Sequence, residues 1–203
     1  MRKKTTEKRE QIINVASKLF LKKGFDGISM DLIAKTVGGS KATLYSYFKK
    51  KEDIFIEVVL NFAQKLKGDK SKALESSDDF PVKLKNFALE HLNFMLSPKM
   101  VSVRRLVIVQ GQSAIGQAVY ERGFKACWQT VEEIIIEAVK EGALKKDIHT
   151  WVATMHLKGL IEADLIEKSM LCSKFSITPH EISKAVEMGV NVFLTYYGSK
   201  ERE

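Results

Sequence analysis

The sequence predicts an all-α protein of about nine helices, with a small three-helix head and a larger helical body. Three observations carry that prediction. Apolar residues recur at three- and four-residue spacing along nearly the whole chain, while strand-type alternation is rare. Only three prolines occur in 203 residues, so long helices can run unbroken. Capping hydroxyls and glycines cut the first fifty residues into short pieces, whereas later stretches run much longer.

The first helix is expected over 6–23, with Ile12, Ile13, Ala16, Leu19 and Phe20 on one face. Glu7 and Glu10 lie early and Lys22 and Lys23 late, as the helix dipole favours, and Gly24 ends it. Ser29 is a natural N-cap for a second, short helix, with Asp31 in its first turn and Ile33, Ala34 and Val37 inward. Gly38-Gly39 stops that helix, and Ser40 caps a third over about 40–48. Two short helices joined by a glycine turn and packed on a longer first helix form a helix-turn-helix. A fourth helix is expected over about 51–67, with Ile54, Phe55, Val58, Val59, Phe62 and Leu66 inward. The polar stretch 68–79 is either its frayed end or a loop into the body. Further helices are expected at about 80–96, 99–111, 115–141 and 147–172, and a last one at 179–197, capped by Thr178. The domain boundary falls after residue 51, giving a head of 1–51 and a body of 52–203.

Charge separates the two parts. Residues 1–51 carry 13 Lys and Arg against 4 Asp and Glu, a net +9, which leaves −1 for the rest of a chain whose total is +8. A basic head on a near-neutral body suits a polyanion, although a solvated basic face would look the same. Cys127 and Cys172 cannot make a disulfide framework and fit a reducing compartment. No run reaches the ~18 apolar residues a membrane span needs, and the charged start MRKKTTEKRE lacks a signal core. A cytoplasmic protein without membrane contact is expected.

The chemistry concentrates in Ser40-Lys41-Ala42-Thr43-Leu44-Tyr45-Ser46-Tyr47-Phe48 and the following Lys49, Lys50 and Lys51. The second helix of a helix-turn-helix enters the major groove of DNA. Lys41, Ala42 and Thr43 fall at its N-terminal end, where side chains face base edges and backbone N–H groups favour phosphate. Thr43 can bond a base or a phosphate, and Ala42 is small enough to touch a thymine methyl. Tyr45 and Tyr47 each offer a ring and a hydroxyl, while Leu44 and Phe48, at i and i+4, must hold the helix to its neighbours. Exposed lysines at 49–51 would neutralise phosphates and make binding fall steeply with salt. Ser40, Lys41, Ala42, Thr43, Tyr45, Tyr47, Lys49 and Lys51 are the expected DNA contacts.

Ala16-x-x-Leu19-Phe20, Gly24-Phe25, Ile28-Ser29, Ile33-Ala34, Gly38, the stretch from Ser40 to Phe48, Lys51-Glu52-Asp53 and Phe55 resemble, as an ordered set, the DNA-binding domain of the TetR family of one-component repressors. One position departs: Gly39 stands where the family usually has a branched apolar residue, which should loosen the turn. Leu96-Ser97-Pro98, Arg104-Arg105-Leu106-Val107-Ile108 and Val119-Tyr120-Glu121-Arg122-Gly123 resemble the AefR-like C-terminal domains more weakly. An acidic residue often follows the Arg-Leu-Val-Ile run there. Gln110 lies nearby here, so no carboxylate role is carried over. The resemblance implies an Ω-shaped homodimer whose last two helices form a four-helix bundle with those of the partner. It also implies a repressor binding a pseudo-palindromic double-stranded operator, and a small-molecule effector that shifts the fourth helix and respaces the recognition helices. Those helices must sit about 34–36 Å apart to engage DNA.

The last helix carries a stripe of Ile182, Val186, Gly189, Phe193 and Tyr196, flanked by Ala185, Met188 and Val192, and the helix before it offers Trp151, Val152, Met155, Leu160 and Ile161. So wide an apolar arc needs more than one neighbour. Trp151, Val152, Met155, Ile182, Ala185, Val186, Gly189, Phe193 and Tyr196 are the expected dimer contacts, unless both helices bury these faces within one subunit. The effector pocket is expected among Phe62, Phe87, His91, Met95, Gln110, Tyr120, Phe124, Trp128, Met155 and His156, a set suited to a mostly apolar ligand. At helical spacing such residues are more often plain core than pocket lining.

Two other classes are open. An architectural DNA-binding dimer without effector would show a filled body. A helical enzyme or carrier with a basic head would need a catalytic constellation. The sequence has no P-loop, dinucleotide turn, nucleophile elbow or metal-binding helix pair, so no enzyme, cofactor or metal is expected.

Overall fold

The computed structural model describes residues 5–74, 79–111, 114–172, 174 and 176–199, with side chains omitted for 63–74. The described chain is all-helical: α1 (Thr6–Lys23), α2 (Met30–Val37), α3 (Lys41–Tyr47), α4 (Lys51–Leu74), α5 (Phe80–Met95), α6 (Pro98–Val109), α7 (Ala114–Val119), a π-helical turn (Tyr120–Lys125), α8 (Ala126–Lys140), α9 (Thr150–Leu171) and α10 (Pro179–Tyr197). The segments from 114 to 140 are continuous, as the single helix expected over 115–141 requires. The π turn within them is a feature that helical periodicity does not report. The helix expected to end near 67 runs on to Leu74. Residues 75–78 of the polar stretch, and the basic start at 1–4, lie outside the described residues.

The chain divides into two compact units, Met1–Ala63 with Ser102–Gly123, and Gln64–Val101 with Phe124–Glu203. In the first, the punctuation works as the sequence suggests. Thr5 caps α1 through Lys8 N–H, and Gly24 ends it with φ 73°. Ser29 caps α2 through Leu32 N–H, and Gly38 closes it in the left-handed region, φ 71° and ψ 44°. Ser40 then caps α3 through Thr43 N–H. The core holds Phe20, Phe25 and Phe55 with ring centroids 5.1–5.8 Å apart. Burying each ring contributes about 1.5–3 kcal/mol. Leu44 and Phe48 are buried in the same core and anchor α3.

Gly39 does not need its freedom. Its φ is outside the left-handed region, and a Cβ there would meet nothing within 4 Å. A gap of about 10 Å³ bounded by Ile12, Val37, Gly39 and Leu44 lies beside it. Gly39→Ala is therefore expected to raise the head's stability by about 0.4–1 kcal/mol, chiefly by restricting the unfolded chain. Denaturant melts of the two proteins measure this, and a lower midpoint in the alanine variant would contradict it.

In the second unit α10 packs on α9 and α5, and α8 packs on α9. A Cβ on Gly189 would lie 2.9 Å from the Leu160 carbonyl oxygen, so glycine is what lets α10 approach α9 this closely. Thr178 and Glu181 form a reciprocal capping box at the start of α10. Inside α9 the backbone leaves helical geometry at Ala163, which kinks the helix.

Candidate nucleic-acid interface and body sites

The cap of α3 fixes the face that the sequence assigns to DNA. Ser40 Oγ accepts from Thr43 N–H at 3.1 Å and lies 2.9 Å from the Thr43 hydroxyl. Ser40, Lys41 and Ala42 are exposed and Thr43 is half-buried. Tyr45 is exposed, with 43% of its surface accessible. The Lys41 ammonium pairs with Asp31 of α2, and that hydrogen bond and charge raise its pKa above the ordinary lysine value. Both partners are exposed, so the pair is weak and exchangeable for a phosphate.

Tyr47 is half-buried, and its hydroxyl accepts from Thr5 N–H at 3.0 Å, tying α3 to the start of α1. That hydroxyl keeps its own hydrogen to donate outward. Lys49 and Lys50 are exposed. Lys51 departs from the exposed cation the sequence suggested. Its Nζ donates to the Phe25 carbonyl at 2.9 Å and sits 4.1 Å from the Phe25 ring centroid. It fastens α4 to the turn after α1, so its loss would be felt in the head itself.

A carboxylate the sequence gave no reason to single out also organises this unit. Glu57 of α4 accepts from Arg9 at 2.6 Å and from Arg122 of the π turn at 2.8 Å. Burial works against its charge, but the two guanidinium groups outweigh that and hold its carboxyl below the usual value. Arg9 also lies over the Phe48 ring, behind α3.

The structure sorts the expected pocket residues. Phe87, His91 and Trp128 come together in the body core: His91 stacks on Phe87 at 5.9 Å and meets Trp128 edge-on at 5.0 Å. Met95, Phe124 and Met155 are partly buried against that core. Phe62, Gln110 and Tyr120 belong to the other unit, Phe62 packing on the head core and Tyr120 being exposed. His156 is exposed on α9, with Nδ1 2.6 Å from the Tyr197 hydroxyl.

Sequence reasoning missed the charge beside His91. Glu162, 5% exposed, accepts from His91 Nε2 at 2.7 Å and from Lys158 Nζ at 2.6 Å. A Lys-to-Glu pair at i, i+4, with the Glu adjoining Ile161 in an apolar run, was the available signal.

On α10, Ile182, Val186, Gly189 and Phe193 are buried within their own subunit, the alternative that the sequence leaves open beside a partner interface. They face α9 and α5, which fill that side of the helix. Ala185 is half-buried. The stripe left outward is Met188, Val192 and Tyr196, which are 60%, 52% and 67% exposed. On α9 Val152 is exposed, and Trp151 and Met155 are half-buried. A groove of about 490 Å³ runs between the two helices here, lined by Met155, Gly159, Leu160, Val192 and Tyr196 among others.

Among the described residues no helix is long and apolar enough to cross a membrane, and no group of His, Cys, Asp or Glu could hold a metal.

Comparison with known proteins agrees with this anatomy. Residues 12–58 match the bacterial regulatory proteins of the tetR family, and residues 82–199 match the C-terminal domain of AefR-like transcriptional repressors. A Bacillus subtilis protein described as the uncharacterized HTH-type transcriptional regulator YhgD is 26% identical over 68% of this chain and 73% of its own length. A putative TetR-family regulator from Mesorhizobium loti superposes with a TM-score of 0.86 at 26% identity, covering 96% of this chain and all of that one. The flavonoid-responsive regulator FrrA superposes with a TM-score of 0.81 at 25% identity over 97% of this chain and all of its own.

Proposed function

The chain belongs to the TetR family of helix-turn-helix transcriptional regulators, with an AefR-like C-terminal domain, and we propose that it is a cytoplasmic repressor that binds a pseudo-palindromic operator as a homodimer and is released by a small, mostly apolar effector. Its relatives are regulators of transcription, not enzymes.

The observation that carries this reading is the face of α3. Lys41, Ala42 and Tyr45 project from a helix locked from behind by Leu44 and Phe48, with Lys49 and Lys50 exposed at its end. Ser40, Thr43 and Tyr47 add hydroxyls around α3, Tyr47 from a different side than Tyr45, and Lys51 adds charge after it. Side chains at the N-terminal end of such a helix read base edges, and the tyrosines and lysines hold phosphates and set the register. The outward stripe of α10 supports pairing, because a paired protein is what presents two such helices to two half-sites. The effector is proposed to bind in the body, where Phe87, His91 and Trp128 pack together. The flavonoid response of FrrA, a neighbour over nearly the whole chain, supports an organic molecule in that role. A ligand favouring one spacing of the heads shifts the population away from DNA.

Thr43→Ala is expected to change base preference at one position of each half-site, by about 1–3 kcal/mol if Thr43 bonds a base. Tyr45→Phe, which removes one phosphate donor, is expected to weaken all sequences alike. Selection from random duplexes followed by mobility-shift titration separates the two effects. The same motif and affinity from both variants as from wild type would overturn the assignment of α3 as the reading helix.

A further inference from the structure

The body holds a buried ionic cluster that the reading so far does not use. Glu162 sits between two donors, His91 from α5 and Lys158 one turn earlier on α9. The side chains of His91 and Glu162 are sealed, at 2% and 7% accessible, whereas Lys158 retains 24%. Around them the walls are aromatic: Phe87 and Trp128 against His91, and Phe124 with its ring 5.5 Å from the Lys158 ammonium.

Such a cluster is a poor way to stabilise a core. Taking charges out of water offsets most of their attraction, and well-packed apolar side chains of the same volume do as well or better. Ionic groups set among aromatic walls are more characteristic of a ligand site. The group an incoming molecule meets is also defined. Glu162 already accepts from two donors and is covered, while Lys158 reaches toward the surface with an ammonium that has three hydrogens and gives one to Glu162. Lys158 therefore offers donors and positive charge next to a ring face, with His91 and Glu162 holding it from behind.

We propose that the effector is an organic acid, an apolar molecule bearing one carboxylate that bonds Lys158 while its hydrocarbon part lies against Phe124. This rests on the reading of the body as the effector-binding part and adds the chemical class of the effector. A neutral alcohol of the same shape keeps the apolar contact and can still accept from the ammonium, but it loses the ion pair. An amine brings like charge to Lys158. The expected order is acid, then alcohol, then amine.

The test is calorimetric titration of the full-length protein with two scaffolds, octanoate, 1-octanol and octylamine, and 1-naphthoate with its alcohol and amine counterparts. In at least one scaffold the acid is expected to bind about ten times more tightly than the alcohol, or better. Lys158→Met should abolish that preference by weakening the acid far more than the alcohol, and Lys158→Arg should keep it. Thermal melts of both variants check that the body is folded, and the arginine variant keeps the experiment decisive if the methionine variant is not. The proposal is overturned if in neither scaffold the acid binds more tightly than its alcohol and amine, if the preference survives Lys158→Met, or if no member of either scaffold binds. Duplex binding by the ligand-free wild type is measured in parallel. Failure there removes the repressor reading and leaves the ligand result to stand separately.

Discussion

Met188→Glu combined with Val192→Glu is expected to turn a dimer into a monomer and to weaken binding to a duplex with two half-sites by about a hundredfold or more. Both residues lie on the outward stripe of α10, one turn apart, at 60% and 52% exposure. The inward side of the same helix, Ile182, Val186, Val190 and Phe193, is buried in the subunit core and is not touched by the change. The fold of each subunit should therefore survive, and two carboxylates per protomer would face two more across a two-fold axis. Linking two half-site contacts through one stable dimer makes the second contact intramolecular, and that advantage is what the variant loses. Sedimentation gives the oligomeric state, mobility shift gives the affinity, and a thermal melt confirms folding. A variant that remains dimeric would show that the α9–α10 face is not the interface.

Glu162→Leu should destabilise the body by about 3–5 kcal/mol, because it strands the buried His91 and leaves Lys158 without its counter-charge. The companion change His91→Leu should recover much of the loss when added to Glu162→Leu, since the pair is then replaced by apolar packing. A double variant no more stable than the single one would contradict this account of the cluster. Acid unfolding carries the same signature. Burial alone would raise the Glu162 carboxyl, but the hydrogen bonds and charges of His91 and Lys158 prevail and hold it at about 2, below the ordinary 4.5. A folded value below the unfolded one stabilises fully above about pH 4.5, and that contribution is lost as pH falls from there toward 2. Glu162→Gln should accordingly flatten this part of the stability profile.

Much of the head was legible because its signals are local. Gly24, Ser29, Gly38 and Ser40 mark boundaries through their own backbone chemistry, and Leu44 with Phe48 follows from helical periodicity. What escaped is non-local. Lys51 finds the Phe25 carbonyl and His91 finds Glu162 across folds of the chain that no window of sequence reports. The π turn at Tyr120–Lys125 places Gly123 where a Cβ would come within 3.3 Å of Leu60, a closeness set by tertiary packing. The wide apolar arc of α10 correctly implied two neighbours. Periodicity does not say which half of the arc meets α9 and α5 and which is left outward.

The central claim is that a basic head docks on double-stranded DNA twice over, through a paired protein. Its most direct test is the stoichiometry and salt dependence of binding to a duplex selected from random sequence, followed by sedimentation and fluorescence anisotropy. Two subunits, or a multiple of two, should occupy each duplex. If six phosphates are neutralised, affinity should fall about a thousandfold between about 50 and 200 mM salt. A protein that sediments as one chain and leaves every duplex unbound at low ionic strength would contradict the claim.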